Sequence, residues 1–96
     1  MAIEFTWDRA KARRNIQKHR ITFETAEQVF FDPHLIVVED CEVHGEMRYQ
    51  ALGYAGSFLL LVVHVDRSEG DREIIHIISG RKANAYEQAA YSNQFA

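Results

Sequence analysis

The sequence predicts an α+β fold of order β-α-α-β-β-β-β-α, an antiparallel sheet with its helices packed on one side. Three observations predict it. Apolar residues recur at helical spacing through the first third of the chain. Four apolar or β-branched segments then follow with short polar links. A capping sequence opens one more helix near the end. Consecutive strands with short links favour an antiparallel meander, and segregated helices make the class α+β.

Ile3-Glu4-Phe5-Thr6-Trp7 alternates with period two and reads as a short strand. Asp8 caps a helix running to about His19. Ala12, Asn15, Ile16 and His19 share one face of it. That stripe is narrow and partly polar, with Lys11, Arg14 and Lys18 on one flank and Arg9, Arg13 and Arg20 on the other. A helix made only to pack carries more leucine and isoleucine. Thr22 caps a second helix bearing Phe23, Ala26, Val29 and Phe30, which Asp32-Pro33 stops because proline disfavours helical geometry before it.

Leu35 to Val38 is largely β-branched and reads as a well-buried strand; the acidic run Glu39 to Glu46 fits an exposed loop. Met47 to Ala55 alternates in part, and Gly56-Ser57 suits a tight hairpin turn. Phe58 to Val65 is apolar on both faces and should be a central strand. Asp66 to Arg72 is a polar loop, and Glu73 to Ser79 returns as a strand. Asn84-Ala85-Tyr86-Glu87 has capping-box spacing and opens a helix with Tyr86, Ala89, Ala90 and Tyr91.

Ninety-six residues make one domain, 1–96, with a single modest core. An apolar fraction of 47% suffices without disulfides or a structural metal. The lone Cys41 excludes an intramolecular disulfide and fits a reducing cytoplasm. No apolar stretch follows the charged start, so no signal peptide is expected, and Phe58 to Val63 is too short to cross a bilayer. The net charge of -3 argues against a nucleic-acid partner, but its distribution argues for one. Six Lys/Arg and no acid lie between Arg9 and Arg20, leaving a balance of -9 elsewhere. Such asymmetry lets one face attract an anion, although charge alone fits a solvated helix equally well.

Cleaving RNA without a metal needs a base for the 2′-hydroxyl proton, cations for the phosphate and an acid for the leaving oxygen. His64 ends the most apolar strand, and Arg48 lies early in the preceding one, close to Glu46. A turn at Gly56-Ser57 pairs 48 with 65 and 49 with 64, gathering Arg48, Tyr49 and His64 at one end of the sheet. Arg81 and Lys82 follow the last strand. The catalytic candidates are therefore His64, Arg48, Arg81 and Glu46, and the RNA-binding candidates Lys11, Arg14, Lys18, His19 and Lys82.

Each has a plainer reading. Histidines at strand ends are more often structural than catalytic, and His19 fits a half-buried packing residue. Arg48 and Glu46 make an ordinary surface ion pair. Arg81 and Lys82 fit exposed residues near a helix start, although cations favour the other end of a helix. His34, His44 and His76 read as loop and strand-surface residues. The histidines and cysteine lack metal-ligand spacing, so neither a metal nor another cofactor is expected.

Several of these residues also form a pattern. Trp7-Asp8-Arg9-Ala10-Lys11, Asn15, Lys18-His19-Arg20-Ile21-Thr22-Phe23-Glu24, Ala26, Phe30 and Asp32-Pro33 resemble the opening signature of the BrnT toxins of type II toxin–antitoxin systems. Gly45-Glu46-Met47-Arg48-Tyr49 with Gly53, Leu61-Val62-Val63-His64, and Ile77 to Ala83 with Glu87 and Tyr91 resemble its later segments in the same order. The resemblance implies a RelE-like, metal-independent ribonuclease that inhibits translation. It also implies a BrnA-like ribbon-helix-helix antitoxin, joined in a 2:2 complex that binds operator DNA through the antitoxin, with no membrane partner. The chain departs from the pattern in having His76 where arginine is usual and Gly80 where alanine is usual. Two other readings compete: an inactive homologue serving as its antitoxin's corepressor, and a small nucleic-acid-binding module without catalysis. A neighbouring ribbon-helix-helix gene separates the last from the others, and growth arrest on expression separates the first two.

Overall fold

A computed structural model of the chain describes residues 2–96. Strand β1 (Ile3–Thr6) leads into helix α1 (Arg9–His19), where the Asp8 carboxylate accepts from the Lys11 backbone N–H at 3.0 Å. The helix ends at Arg20, which takes a left-handed conformation with φ 60°. Thr22 caps the short helix α2 (Phe23–Ala26), which tightens into a 3-10 turn over Glu27–Phe31. Strands β2 (Ile36–Val43), β3 (Glu46–Ala55), β4 (Phe58–Asp66) and β5 (Glu73–Lys82) follow, then helix α3 (Ala85–Asn93). Asn84 and Glu87 form the expected capping box of α3.

The five strands make one sheet in the order β1-β5-β4-β3-β2. β2 to β5 form the expected antiparallel meander, with 48 opposite 65 and 49 opposite 64. The sheet as a whole is mixed, because β1 pairs with β5 in parallel. No hairpin dictates the direction of β1, whose partner lies some seventy residues away in sequence. β1 pairs only with 73–76 of β5, and its parallel course carries α1 alongside the remainder of that strand.

The helices are not all on one side, which corrects a second expectation. Ile21, Phe23, Ala26 and Val29 pack on Ala51, Leu60, Val62 and Ile77 against one face. Tyr91 of α3 packs with Leu52, Leu61 and Ala83 in a separate cluster on the other. The cause is β4, whose successive side chains are apolar on both faces and need two covers.

The acidic run Glu39 to Glu46 is mostly strand rather than loop. β2 continues to Val43, with an irregularity between Glu39 and Glu42, and His44-Gly45 makes the turn with positive φ at both residues. As an edge strand, β2 leaves Val37 and Val38 about half exposed rather than buried. Charged side chains on such an edge discourage another chain from pairing with it.

β5 carries one extra residue: Val63 faces Ser79, while His64 faces Ile77. This bulge lets both Ile77 and Gly80 lie toward the α2 side. A Cβ on Gly80 would come within 3.1 Å of the Ala26 Cβ, so glycine here permits close packing of α2 on the strand. Asn15 of α1, 5% exposed, completes the strand edge. Its Nδ2 donates to the carbonyls of Gly80 (2.8 Å) and Ile21 (2.9 Å), and its Oδ1 accepts from Gly80 N–H (3.1 Å).

Replacing the Asn15 amide by a carboxylate turns two donated bonds into oxygen–oxygen repulsion. Asn15→Asp should cost roughly 3 kcal/mol or more, because each buried polar group left unpaired costs about 1–3 kcal/mol. Urea unfolding measures it; a loss below about 1 kcal/mol would remove Asn15 from this role.

Candidate functional site

At the end of the sheet where β1 meets β5, the two faces carry different chemistry. On the α2 side, His64 is 4% exposed. It lies edge-on to Phe30 at 4.9 Å and stacked on Tyr49 at 5.7 Å. Its Nδ1 has no hydrogen-bond partner, and burial pushes its pKa below the usual histidine value. This is a packed imidazole whose burial disfavours the charged form.

The opposite face is charged. Strand alternation puts Glu46 and Arg48 of β3, Arg67 just beyond β4, His76 of β5 and Thr6 of β1 on it. Glu46 is paired with Arg67, not with Arg48: two bonds of 3.1 Å from Nε and Nη2 reach its two oxygens. That pairing, helped by the charges of His76 and Arg48, holds the Glu46 carboxyl below the ordinary carboxylate range. Among the described residues Arg48 forms no salt bridge. His76 is half-buried, with Nδ1 2.7 Å from Thr6 Oγ1. Burial, then the charge of Arg67, lowers its pKa; Lys11 acts with them, while Glu46 and Asp8 oppose.

α1 borders this face. Its flank of Lys11, Arg14, Lys18 and His19 lines an open cleft with Asn15, and the cleft's other wall is Ile78 and Ser79 at the β5 bulge. Toward α3, Arg81 lies opposite Leu61 and is gripped by Glu87 through two bonds of 2.8 Å. Glu87 also accepts from the Asn84 backbone N–H, so one carboxylate caps α3 and ties it to β5.

Of the residues expected from sequence, Arg48 and Glu46 share the open face, and Lys11, Arg14, Lys18 and His19 line its flank. His64 lies at the same end but on the other side of the sheet. Arg81 is engaged by Glu87, and Lys82 sits at the far end, with Nζ 4.7 Å from the Phe58 ring centre. Arg67 and Thr6 are not among the sequence candidates, and His76 enters there only as a strand-surface residue and as a departure from the family pattern. The hairpin register, extended two residues, places 67 opposite 46; His76 and Thr6 meet only through the parallel pairing and the bulge, which leave no local trace.

The class is a small α+β protein with a cation-bordered open sheet face. Among the described residues no group of three His, Cys, Asp or Glu gathers as a metal cage, and no helix is long and apolar enough to cross a membrane. Residues 7–87 match the model of a family described as the ribonuclease toxin, BrnT, of type II toxin–antitoxin systems. The chain belongs to this family, as its motifs implied. No curated protein matches it significantly.

The burial of His64 sets a pH dependence. The unfolded chain binds a proton at His64 near the ordinary histidine value of 6.5, whereas the folded chain resists protonation until lower pH. Stability from this group is present above that value and is lost as pH falls from it toward the depressed folded pKa. His64→Leu should reduce the stability difference between about pH 7.5 and 5.5. An unchanged difference in urea unfolding would place the titration elsewhere.

Proposed function

We propose that this chain is the toxin of a type II pair, a single domain that cleaves cytoplasmic RNA without a metal ion and so lowers translation. The carrying observation is the open sheet face, where Arg48, which makes no salt bridge among the described residues, and the Lys11, Arg14 and Lys18 flank border one surface. A single RNA strand crossing it meets cations spaced along one side, with Ser79 and Ile78 as a neutral floor. Phosphate neutralisation dominates such binding. In this reading Arg48 holds the charge that develops on the phosphoryl oxygens, with Lys11, Arg14 and Lys18 fixing the strand and His19 at the lip. Arg81 acts chiefly by holding α3 on β5, and Lys82 extends the basic surface beyond the centre.

The reaction proposed is attack of a 2′-hydroxyl on the adjacent phosphorus, breaking the bond to the 5′-oxygen. His64, buried on the other face, and Glu46, bound by Arg67, are less available for its proton transfers than sequence position implied.

The family supplies an antitoxin partner. We take it to be a BrnA-like ribbon-helix-helix protein, two per complex with two toxins, which binds operator DNA and covers the basic flank of α1. An acidic segment laid on that flank excludes RNA, and complementary charge speeds its capture.

The purified chain should degrade RNA in the presence of EDTA, and Arg48→Ala should slow it on the order of 10²-fold, as loss of a preorganised charge-stabilising group does. Cleavage that requires a divalent ion would overturn the metal-free reading, and no cleavage at all would leave a corepressor. Expression alone should arrest growth, with relief on co-expression of the antitoxin.

The co-purified complex should have the mass of two toxins and two antitoxins, and charge reversal at Arg13 and Arg14 should slow its salt-sensitive assembly. A 1:1 mass defeats the stoichiometry, and an unchanged, salt-insensitive rate defeats the location.

A further inference from the structure

We propose that His76, anchored by Thr6 on the open face, takes the proton from the attacking 2′-hydroxyl; this rests on the RNA-cleaving reading above. The geometry is the argument. Thr6 Oγ1 occupies Nδ1 at 2.7 Å, which leaves Nε2 as the ring nitrogen available to a ligand. With Nδ1–H donating to Thr6, Nε2 carries the lone pair a base needs. The ring is half-buried and is held on its Nδ1 side by Thr6.

The groups around His76 come from every element packed near it. Thr6 of β1 anchors it; Asp8 and Lys11 face it from the start of α1, Glu46 from β3 and Arg67 from beyond β4. Burial first, then Arg67 and Lys11, disfavour a charged imidazole against the opposing pull of Glu46 and Asp8, which favours the proton-accepting form of the ring. Nearby cations serve a second purpose, since they favour the negative charge that builds on the phosphate as the proton leaves. His64 lacks this setting: it lies beneath Phe30 and Tyr49 on the other face.

The step balances without a further reactant. Nε2 accepts the 2′-hydroxyl proton, O2′ bonds to phosphorus, and the bond from phosphorus to O5′ breaks. The products are a 2′,3′-cyclic phosphate and a 5′-hydroxyl, whose oxygen takes its proton from water. The imidazolium, disfavoured beside Arg67 and Lys11, returns its proton to solvent.

The test uses the full chain and a single-stranded oligoribonucleotide in EDTA, with single-turnover rates measured from about pH 5 to 9. The wild-type rate should climb with pH along an acidic limb that levels off below the ordinary histidine value. His76→Gln should slow cleavage about 10²- to 10⁴-fold and abolish that limb. His76→Ala should regain rate in added imidazole, which a purely structural role would not give. If His76→Gln fails to fold, Thr6→Val keeps the imidazole but frees it; kcat should fall and the limb should move while KM holds. A folded His76→Gln protein that cleaves at the wild-type rate and keeps the limb overturns the assignment while leaving the RNA-cleaving reading intact. A wild-type chain that cleaves nothing removes both.

Discussion

One buried amide holds the architecture of the site in place. β1 covers only the first part of β5, and beyond His76 the edge of that strand would otherwise lack a partner. Asn15 supplies what a neighbouring strand would have supplied, a donor and an acceptor aimed at the backbone of Gly80, and it bonds Ile21 as well. A leucine there would pack but leave those groups unpaired in a dry interior. The polar residue in the inward stripe of α1 is therefore a condition of docking a helix against a strand edge. Because that docking fixes the rotation of α1, it also turns Lys11, Arg14 and Lys18 toward the cleft at Ile78 and Ser79.

The sheet keeps packing and charge apart. Its α2 side holds Phe5, Phe30, Tyr49 and His64 in aromatic contact. Its other side is covered only in part, by α3. Polar ties hold that helix, among them Arg81 to Glu87 and the Tyr91 hydroxyl to Asp32 at 2.7 Å. Asp32 also accepts from the backbone N–H groups of His34 and Tyr54, and burial together with its charge pushes the Tyr91 phenol up to about 12. With α3 confined to one end, Arg48, His76 and Ser79 remain uncovered by it.

Local chemistry was legible in the sequence where local forces decide. Asp8, Thr22 and Asn84 marked three helix starts, and Gly56-Ser57 set the register of β3 against β4. The parallel placement of β1 was not legible, because it depends on where α1 finds a partner and not on any turn. The two-sided cover was implicit in β4, whose apolar character on both faces asks for helices on both. For the site, period two already separates Arg48 from His64: 48 faces 65, so its side chain lies on the face opposite 64. Closeness along the strands was visible, but sharing a face required that parity. His76 depended on the bulge in β5 and on pairing across the whole chain, neither of which has a local signal.

The charge pattern gains its meaning from strand order. The basic flank of α1 lies along the β1–β5 side of the sheet, while Glu39, Asp40 and Glu42 occupy β2 at the other edge. A net charge of -3 thus hides a gradient running across the sheet, because the strand order puts β1 and β2 at opposite edges. A polyanion is drawn to one side and repelled from the other, which favours approach at the cleft over nonspecific coating. The same acidic residues guard the exposed edge of β2 against pairing with other chains. Net charge alone misleads here because the topology, not the composition, decides which charges share a surface.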